Sequence, residues 1–252
     1  MSETASHRAI YDKIGLDYAQ LRRPDPRIEA AIHAALGEAR TVLNVGAGAG
    51  SYEPTDRQVT ALEPSREMIA QRPPGSAEVV QGVAEDLPFD DNSFDAVMAV
   101  MAVLTVHHWR DQAKGLAELR RVSRGPVVIL TFDVARTDFW LADYIPELVS
   151  LDEDQMPAMS LYAEVLGPVD IHPVEIPGDC VDGFLCAYWK RPAAYLDERV
   201  RGGISSFWKI GDITPALTRL ASDLESGAWE KRYGGLLALD SLDCGYRLVV
   251  TR

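Results

Sequence analysis

Positive charge is scarce in this chain. Of its 252 residues, 25 are lysine or arginine against 38 aspartates and glutamates, a net charge of -13. Proteins that bind nucleic acid present clustered cations to displace counterions from phosphates, and an acidic surface repels the polyanion. Nothing stronger than Arg22-Arg23 or Arg120-Arg121 occurs, so the expectation is no nucleic acid and a small-molecule substrate. Cysteine is nearly absent too: Cys180, Cys186 and Cys244 are odd in number and lack metal-ligand spacing. That argues against a disulfide framework and a metal site, and for reduced thiols in a cytoplasmic protein. The acidic run Asp152-Glu153-Asp154 is read as a solvated loop. No apolar run is long enough to span a bilayer, and Met1-Ser2-Glu3-Thr4 is acidic where a signal peptide is basic, so no membrane partner is expected. Repeats and low-complexity tracts are missing, and the oligomeric state is not legible.

What the chain does contain is strands alternating with helical segments. A hydrophobic content of 47% suffices for one large α/β domain. The apolar run Val42-Leu43-Asn44-Val45 passes directly into Gly46-Ala47-Gly48-Ala49-Gly50, a turn that brings bare backbone close to a ligand. A dinucleotide-binding strand would continue as G-x-G-x-x-G, but Ser51 stands where the third glycine belongs, and the spacing is G-x-G-x-G. A second apolar strand, Val59-Thr60-Ala61-Leu62, delivers Glu63, a carboxylate placed to hold both hydroxyls of a ribose. Residues 79–82, 96–104 and 127–132 read as further strands, 168–177 holds a sixth, and 246–251 a seventh. Residues 27–40 and 111–122 carry apolar residues at helical spacing. The connection after Gly50 is short and includes Pro54, so its helix must be stunted.

The glycine turn and Glu63 resemble motif I and the acidic partner of the class I methyltransferases that use S-adenosylmethionine. The stretch Ala84-Glu85-Asp86-Leu87-Pro88-Phe89-Asp90-Asp91-Asn92-Ser93-Phe94-Asp95 is similar to that family's A-E-x-L-P-F-x-x-x-S-F-D block, and His107-His108-Trp109 follows as it often does there. The resemblance covers Tyr11 to Asp133. It implies a doubly wound, Rossmann-like sheet of seven mostly parallel strands with a helical cap. The division expected is a single domain: an N-terminal helical cover over 1–40, a cofactor-binding core over 41–177, an inserted cap over 178–243 and the last strand over 244–252. The activity implied is methyl transfer to a small molecule by in-line displacement, with S-adenosylhomocysteine as product.

Residue by residue, the resemblance places Gly46, Ala47, Gly48 and Gly50 beside the amino-acid tail and ribose, and Glu63 on the ribose hydroxyls. Pro64 and Met68 would lie against adenine, Ala84 would bond its ring, Glu85 or Asp86 would stand near its amine, and Leu87 would close the wall. Tyr11 and Tyr18 match the family's N-terminal cover. Many relatives carry an aspartate where this chain has Val83, so the adenine contact is expected to be made differently. His107 and His108 are candidate general bases; at a strand end they would point to opposite faces, leaving at most one toward the reacting groups. Contact with the methionine tail or packing with Trp109 are the alternatives. Within the cap, Phe184, Tyr188 and Trp189 follow a turn after a strand and are assigned to an apolar acceptor pocket. Two rival readings remain: a nicotinamide-dependent oxidoreductase, which lacks the third glycine, and a noncatalytic cofactor-binding regulator or partner subunit.

Overall fold

A computed structural model describes residues 22–75, 77–100, 106–136 and 139–252. Tyr11 and Tyr18 lie outside the described residues. The strands are β1 (Thr41–Val45), β2 (Gln58–Leu62), β3 (Glu78–Val80), β4 (Ala96–Ala99), β5 (Val127–Phe132), β6 (Val169–Pro173), β7 (Ile176–Pro177), β8 (Ser241–Leu242) and β9 (Tyr246–Thr251). The chain divides into two compact units.

The first unit comprises Pro26–Asp133, Gln155–Val174 and Tyr246–Arg252. Its sheet has seven strands in the order β3-β2-β1-β4-β5-β9-β6. Neighbours from β3 through β5 pair in parallel, while β9 runs antiparallel to both β5 and β6. Strands buried on both faces need unbroken apolar runs, and every residue of β4 is buried, as are all of β1 after Thr41. Leu43, Val45, Leu62, Val97, Leu116, Leu119, Ile129, Tyr162 and Val249 form the continuous core. The helix Gln112–Val122 is capped by Asp111, whose carboxylate accepts the Lys114 N–H at 2.9 Å. Register matters most for the site: Val45 stands opposite Leu62, so Gly46 and Glu63 leave adjacent parallel strands at the same level.

Four elements differ from the sequence reading. The helix expected over 27–40 is Pro26–Ala35 and ends where Gly37 turns into the left-handed region at φ 57°. The connection 46–57 contains no helix at all, stunted or otherwise. Its three glycines and Pro54 remove helical propensity, and Tyr52 itself sits at φ 62°. The strand expected over 96–104 is described as Ala96–Ala99, with residues 101–105 outside the described part. The strand expected within 168–177 is split: β6 closes the large sheet, and β7 pairs with β8 in a separate two-stranded one.

The second unit's described residues are 22–25, 134–136, 139–154 and Glu175–Gly245. It is therefore larger than the cap expected over 178–243. Residues 134–154 belong to it because Trp140, Leu141, Tyr144, Ile145 and Leu148 pack with Tyr195, Ile204, Leu220 and Trp229 in one apolar cluster. Asp152-Glu153-Asp154, expected in a solvated loop, lie instead in the helix Glu147–Gln155. Burial pushes the Asp152 carboxyl up to about 7, against the pull of Lys209. Arg22 is tied in by a buried ion pair, its Nε 2.7 Å from Asp182 Oδ1.

Candidate functional site

The glycine turn folds back over the end of β2. Gly46 N–H and Ala47 N–H both donate to the Leu62 carbonyl, at 2.8 and 3.0 Å. Gly46, Gly48 and Gly50 adopt φ of 69°, 50° and 94°, the left-handed region where a Cβ is penalised. This is why the motif alternates glycine with alanine.

Glu63, 5% exposed, emerges from β2 against that turn. Its Oε2 accepts the Gly48 N–H at 2.8 Å and its Oε1 accepts the Ser65 N–H at 2.9 Å. Each carboxylate oxygen thus keeps a lone pair for a further donor. Burial raises the Glu63 pKa above its ordinary 4.5, opposed by the bonds from Ser65 and Gly48 and by the charge of Arg72. A buried carboxylate in that state gains from two neutral hydroxyl donors, which is the fit a ribose offers. Ser65 also caps the helix Arg66–Ala70 by accepting the Met68 N–H at 3.3 Å. That cap turns Met68 inward, where it is buried, while Pro64 is exposed.

Arg72, just past that helix, is a residue the sequence reading passed over. Its Nη1 donates to the Gly48 carbonyl at 3.0 Å and its Nη2 to Glu53 Oε2 at 2.5 Å. Glu53 Oε1 in turn accepts from Asn44 Nδ2 at 3.0 Å. No spacing rule links these residues; only the folded crossover brings them together.

After β3, Ala84 and Leu87 are buried, and the Leu87 N–H donates to Glu118 at 2.9 Å. Val83 is 47% exposed and presents an apolar side chain to solvent. Glu85 reaches away to the histidine segment: its Oε1 accepts the N–H groups of Arg110 and Asp111, at 2.6 and 3.3 Å. His107 and His108 are not on a strand. They occupy the 3-10 turn Val106–His108, with ring centroids 3.7 Å apart. The opposite-faces argument is thereby corrected, because a 3-10 turn sets adjacent residues about a third of a revolution apart. His107 is half-buried and His108 exposed.

This geometry has counterparts of known structure. A protein from Anabaena variabilis, described as a candidate methyltransferase from an antibiotic biosynthesis pathway, is 35% identical, with a TM-score of 0.82 over 92% of this chain and 99% of that one. The chain belongs to the class I S-adenosylmethionine-dependent methyltransferases. The methyltransferase-domain family model matches residues 43–129, which carry the glycine turn, Glu63 and the histidines. An uncharacterized methyltransferase of Mycobacterium tuberculosis is 32% identical over 54% of this chain, and the match spans 58% of that relative's length. A demethylmenaquinone methyltransferase of Renibacterium salmoninarum is 34% identical over 46% of this chain and 51% of its own.

The methyltransferase keeps the remaining assigned residues in its second unit. Trp189 departs from the expectation of a pocket-lining ring. It is fully buried, its indole N–H donates to the Ile176 carbonyl at 2.8 Å, and its own carbonyl accepts from Trp140 Nε1 at 2.8 Å. These bonds lock it as framework of that unit. Phe184 is buried as well, whereas Tyr188 is half-buried, with its ring 4.9 Å from the Arg191 guanidinium. Burial raises the Tyr188 phenol pKa, with Arg191 and Arg22 opposing. No group of three or more His, Cys, Asp or Glu that could hold a metal occurs among the described residues. No described helix is long and apolar enough to cross a membrane.

Proposed function

We propose that this methyltransferase binds S-adenosylmethionine on Glu63 and the Gly46-Ala47-Gly48-Ala49-Gly50 turn and methylates a small, largely apolar acceptor in the cytoplasm. The observation that carries the cofactor assignment is Glu63 itself. A carboxylate only 5% exposed, held by two backbone N–H groups, retains acceptor capacity on both oxygens at the end of a parallel strand. The cofactor's sulfonium carries a methyl group already activated for displacement, so the protein's task is to align, not to activate, the donor. Glu63 fixes the ribose, the glycines admit the backbone to the tail, and Met68, Ala84 and Leu87 supply apolar surface for the adenine.

A small-molecule acceptor is favoured by the net charge of -13, which opposes nucleic acid, and by the names of two of the relatives. Phe184 and Tyr188, with Trp189 fixing the backbone they stand on, are assigned to the acceptor wall that excludes water. His107 or His108 serves as general base where the acceptor must lose a proton. The test is calorimetric titration with S-adenosylhomocysteine and with nicotinamide dinucleotides, followed by a labelled-methyl screen over apolar small molecules. Binding of S-adenosylhomocysteine alone and transfer to one acceptor class are expected. Tight binding of a dinucleotide without response to S-adenosylhomocysteine would overturn the reading.

A further inference from the structure

The crossover from β1 to β2 has lost its helix, and what holds it instead is polar. Gly48 is gripped on both sides, its N–H by Glu63 and its carbonyl by Arg72, at 2.8 and 3.0 Å. The Arg72 and Glu53 side chains are only 3% and 10% exposed. Glu53 is anchored in turn to Asn44 of β1. The loop runs against this pair so closely that a Cβ at Gly50 would lie 3.2 Å from both Arg72 Nη2 and Glu53 Oε2. At the loop's far side His33 Nε2 meets the Tyr52 carbonyl at 3.1 Å, and Arg57 donates to the His33 carbonyl at 3.3 Å.

We propose that Arg72, locked by Glu53 and Asn44, is the positioning residue of the cofactor loop: it takes over from the missing crossover helix, fixing where Gly48 stands and stabilising the negative charge of Glu63 toward the ribose. The inference rests on the cofactor reading above. Two buried carboxylates, Glu53 and Glu63, share this one guanidinium, which bonds the first and acts on the second through space. Burial favours the neutral form of Glu63, and the guanidinium adds to the Ser65 and Gly48 N–H bonds in favouring the charged form that binding needs. Two further buried atoms of the brace, Arg72 Nε and Asn44 Oδ1, have no partner among the described residues.

The test is S-adenosylhomocysteine binding, followed by calorimetry from mildly acidic to neutral pH, in Arg72→Met, Arg72→Lys and Glu53→Gln, with thermal melts alongside. Binding requires ionised Glu63, so affinity rises with pH through the Glu63 pKa. The charged groups acting on it are Arg72 directly and Glu53 through Arg72. Arg72→Met should weaken binding about tenfold or more, as expected for a lost charge-assisted contact, and move the midpoint of the pH profile upward. Glu53→Gln should move it downward by freeing the guanidinium's charge. Arg72→Lys should hold the midpoint near wild type while failing to restore full affinity, since an ammonium cannot fork between Gly48 and Glu53. If Arg72→Met does not fold, a lowered midpoint in Glu53→Gln beside an unmoved midpoint and reduced affinity in Arg72→Lys still carries the proposal. A midpoint unmoved in Glu53→Gln, and in Arg72→Met where it folds, with affinity falling only in step with melting temperature, would overturn it. A wild type that does not bind S-adenosylhomocysteine at any pH overturns the cofactor reading beneath it.

Discussion

Glu63→Ala separates the carboxylate's service to the fold from its service to the cofactor. Within the fold it holds the Gly48 and Ser65 N–H groups at 2.8 and 2.9 Å, and leaving buried donors unpaired costs about 1–3 kcal/mol each. The substitution also removes a desolvated charge, visible in the raised pKa, and opens space for water to reach the donors. The two effects oppose one another, so the net loss of stability should be only about 1–2 kcal/mol, a fall of a few degrees in Tm. The ribose side has no such compensation. Two charge-assisted hydrogen bonds are lost together, roughly 3 kcal/mol, about a hundredfold in Kd. Calorimetry with S-adenosylhomocysteine alongside a thermal melt reads both numbers, and Glu63→Asp, which keeps the charge on a shorter stem, should fall between wild type and Glu63→Ala in affinity. Wild-type affinity in Glu63→Ala, within a factor of about three, would refute the ribose assignment, because so small a change is less than one ordinary hydrogen bond.

Glu63 also makes stability depend on pH. Its folded-state pKa lies above the ordinary 4.5, so its contribution is fully present below that value and is lost as pH rises through the folded pKa; binding that favours the ionised form should release protons in this window, measurable by calorimetry in buffers of different ionisation enthalpy. Trp189→Ala empties a fully buried site and abandons the bond to the Ile176 carbonyl. About 3–5 kcal/mol of stability should go, with S-adenosylhomocysteine affinity of the surviving folded fraction unchanged in a titration corrected for active protein. At Gly115 a new Cβ would lie 2.4 Å from Trp109 Cε3. Alanine gains about 1 kcal/mol of helix propensity but overpacks the ring by about 1–3 kcal/mol. Denaturant unfolding of Gly115→Ala should therefore show a net loss, and a net gain would mean that Trp109 moves freely.

The parts legible in the sequence are those whose physics is periodic or terminal. Strands β5 and β9 appear with the bounds read from the sequence because burial on both faces requires unbroken apolar runs. Glu63 was legible because parallel register brings strand ends to a common level, so a carboxylate one residue past an apolar run must meet the turn beside it. Arg72 and Glu53 were not. Their pairing depends on the path of an irregular crossover, and no periodicity encodes that path. The histidine turn escaped for a related reason: an apolar run announces buried strand but not the residue at which the strand gives way to a 3-10 turn. The split of 168–177 into β6 and β7 also lies beyond pattern reading, since nothing in the sequence Val169-Asp170-Ile171-His172-Pro173 or in Ile176-Pro177 says which sheet each joins.

Of the rings in segment 178–243 only Phe184, Tyr188 and Trp189 are assigned to an acceptor, and the packing of the rest bears on that assignment. Trp140, from outside the segment, stands at the centre, with ring centroids 5.3 Å from Trp229, 5.6 Å from Tyr195, 6.0 Å from Tyr144 and 6.0 Å from Tyr233. Edge-to-face contacts of this kind are each worth about 0.5–1.5 kcal/mol beyond area burial, so the rings serve first to hold the second unit together. Most of the aromatic density is thereby accounted for without any acceptor. Tyr188, which the proposal assigns to the acceptor wall, packs on this cluster too, its ring 5.8 Å from that of Tyr195, but it is half-buried and flanked by Arg191, with burial raising its phenol pKa. On the proposed acceptor role, replacing this half-buried ring should change acceptor turnover while S-adenosylhomocysteine affinity, proposed to rest on Glu63, stays unchanged, because Tyr188 packs with the aromatic cluster and Glu63 with the glycine turn.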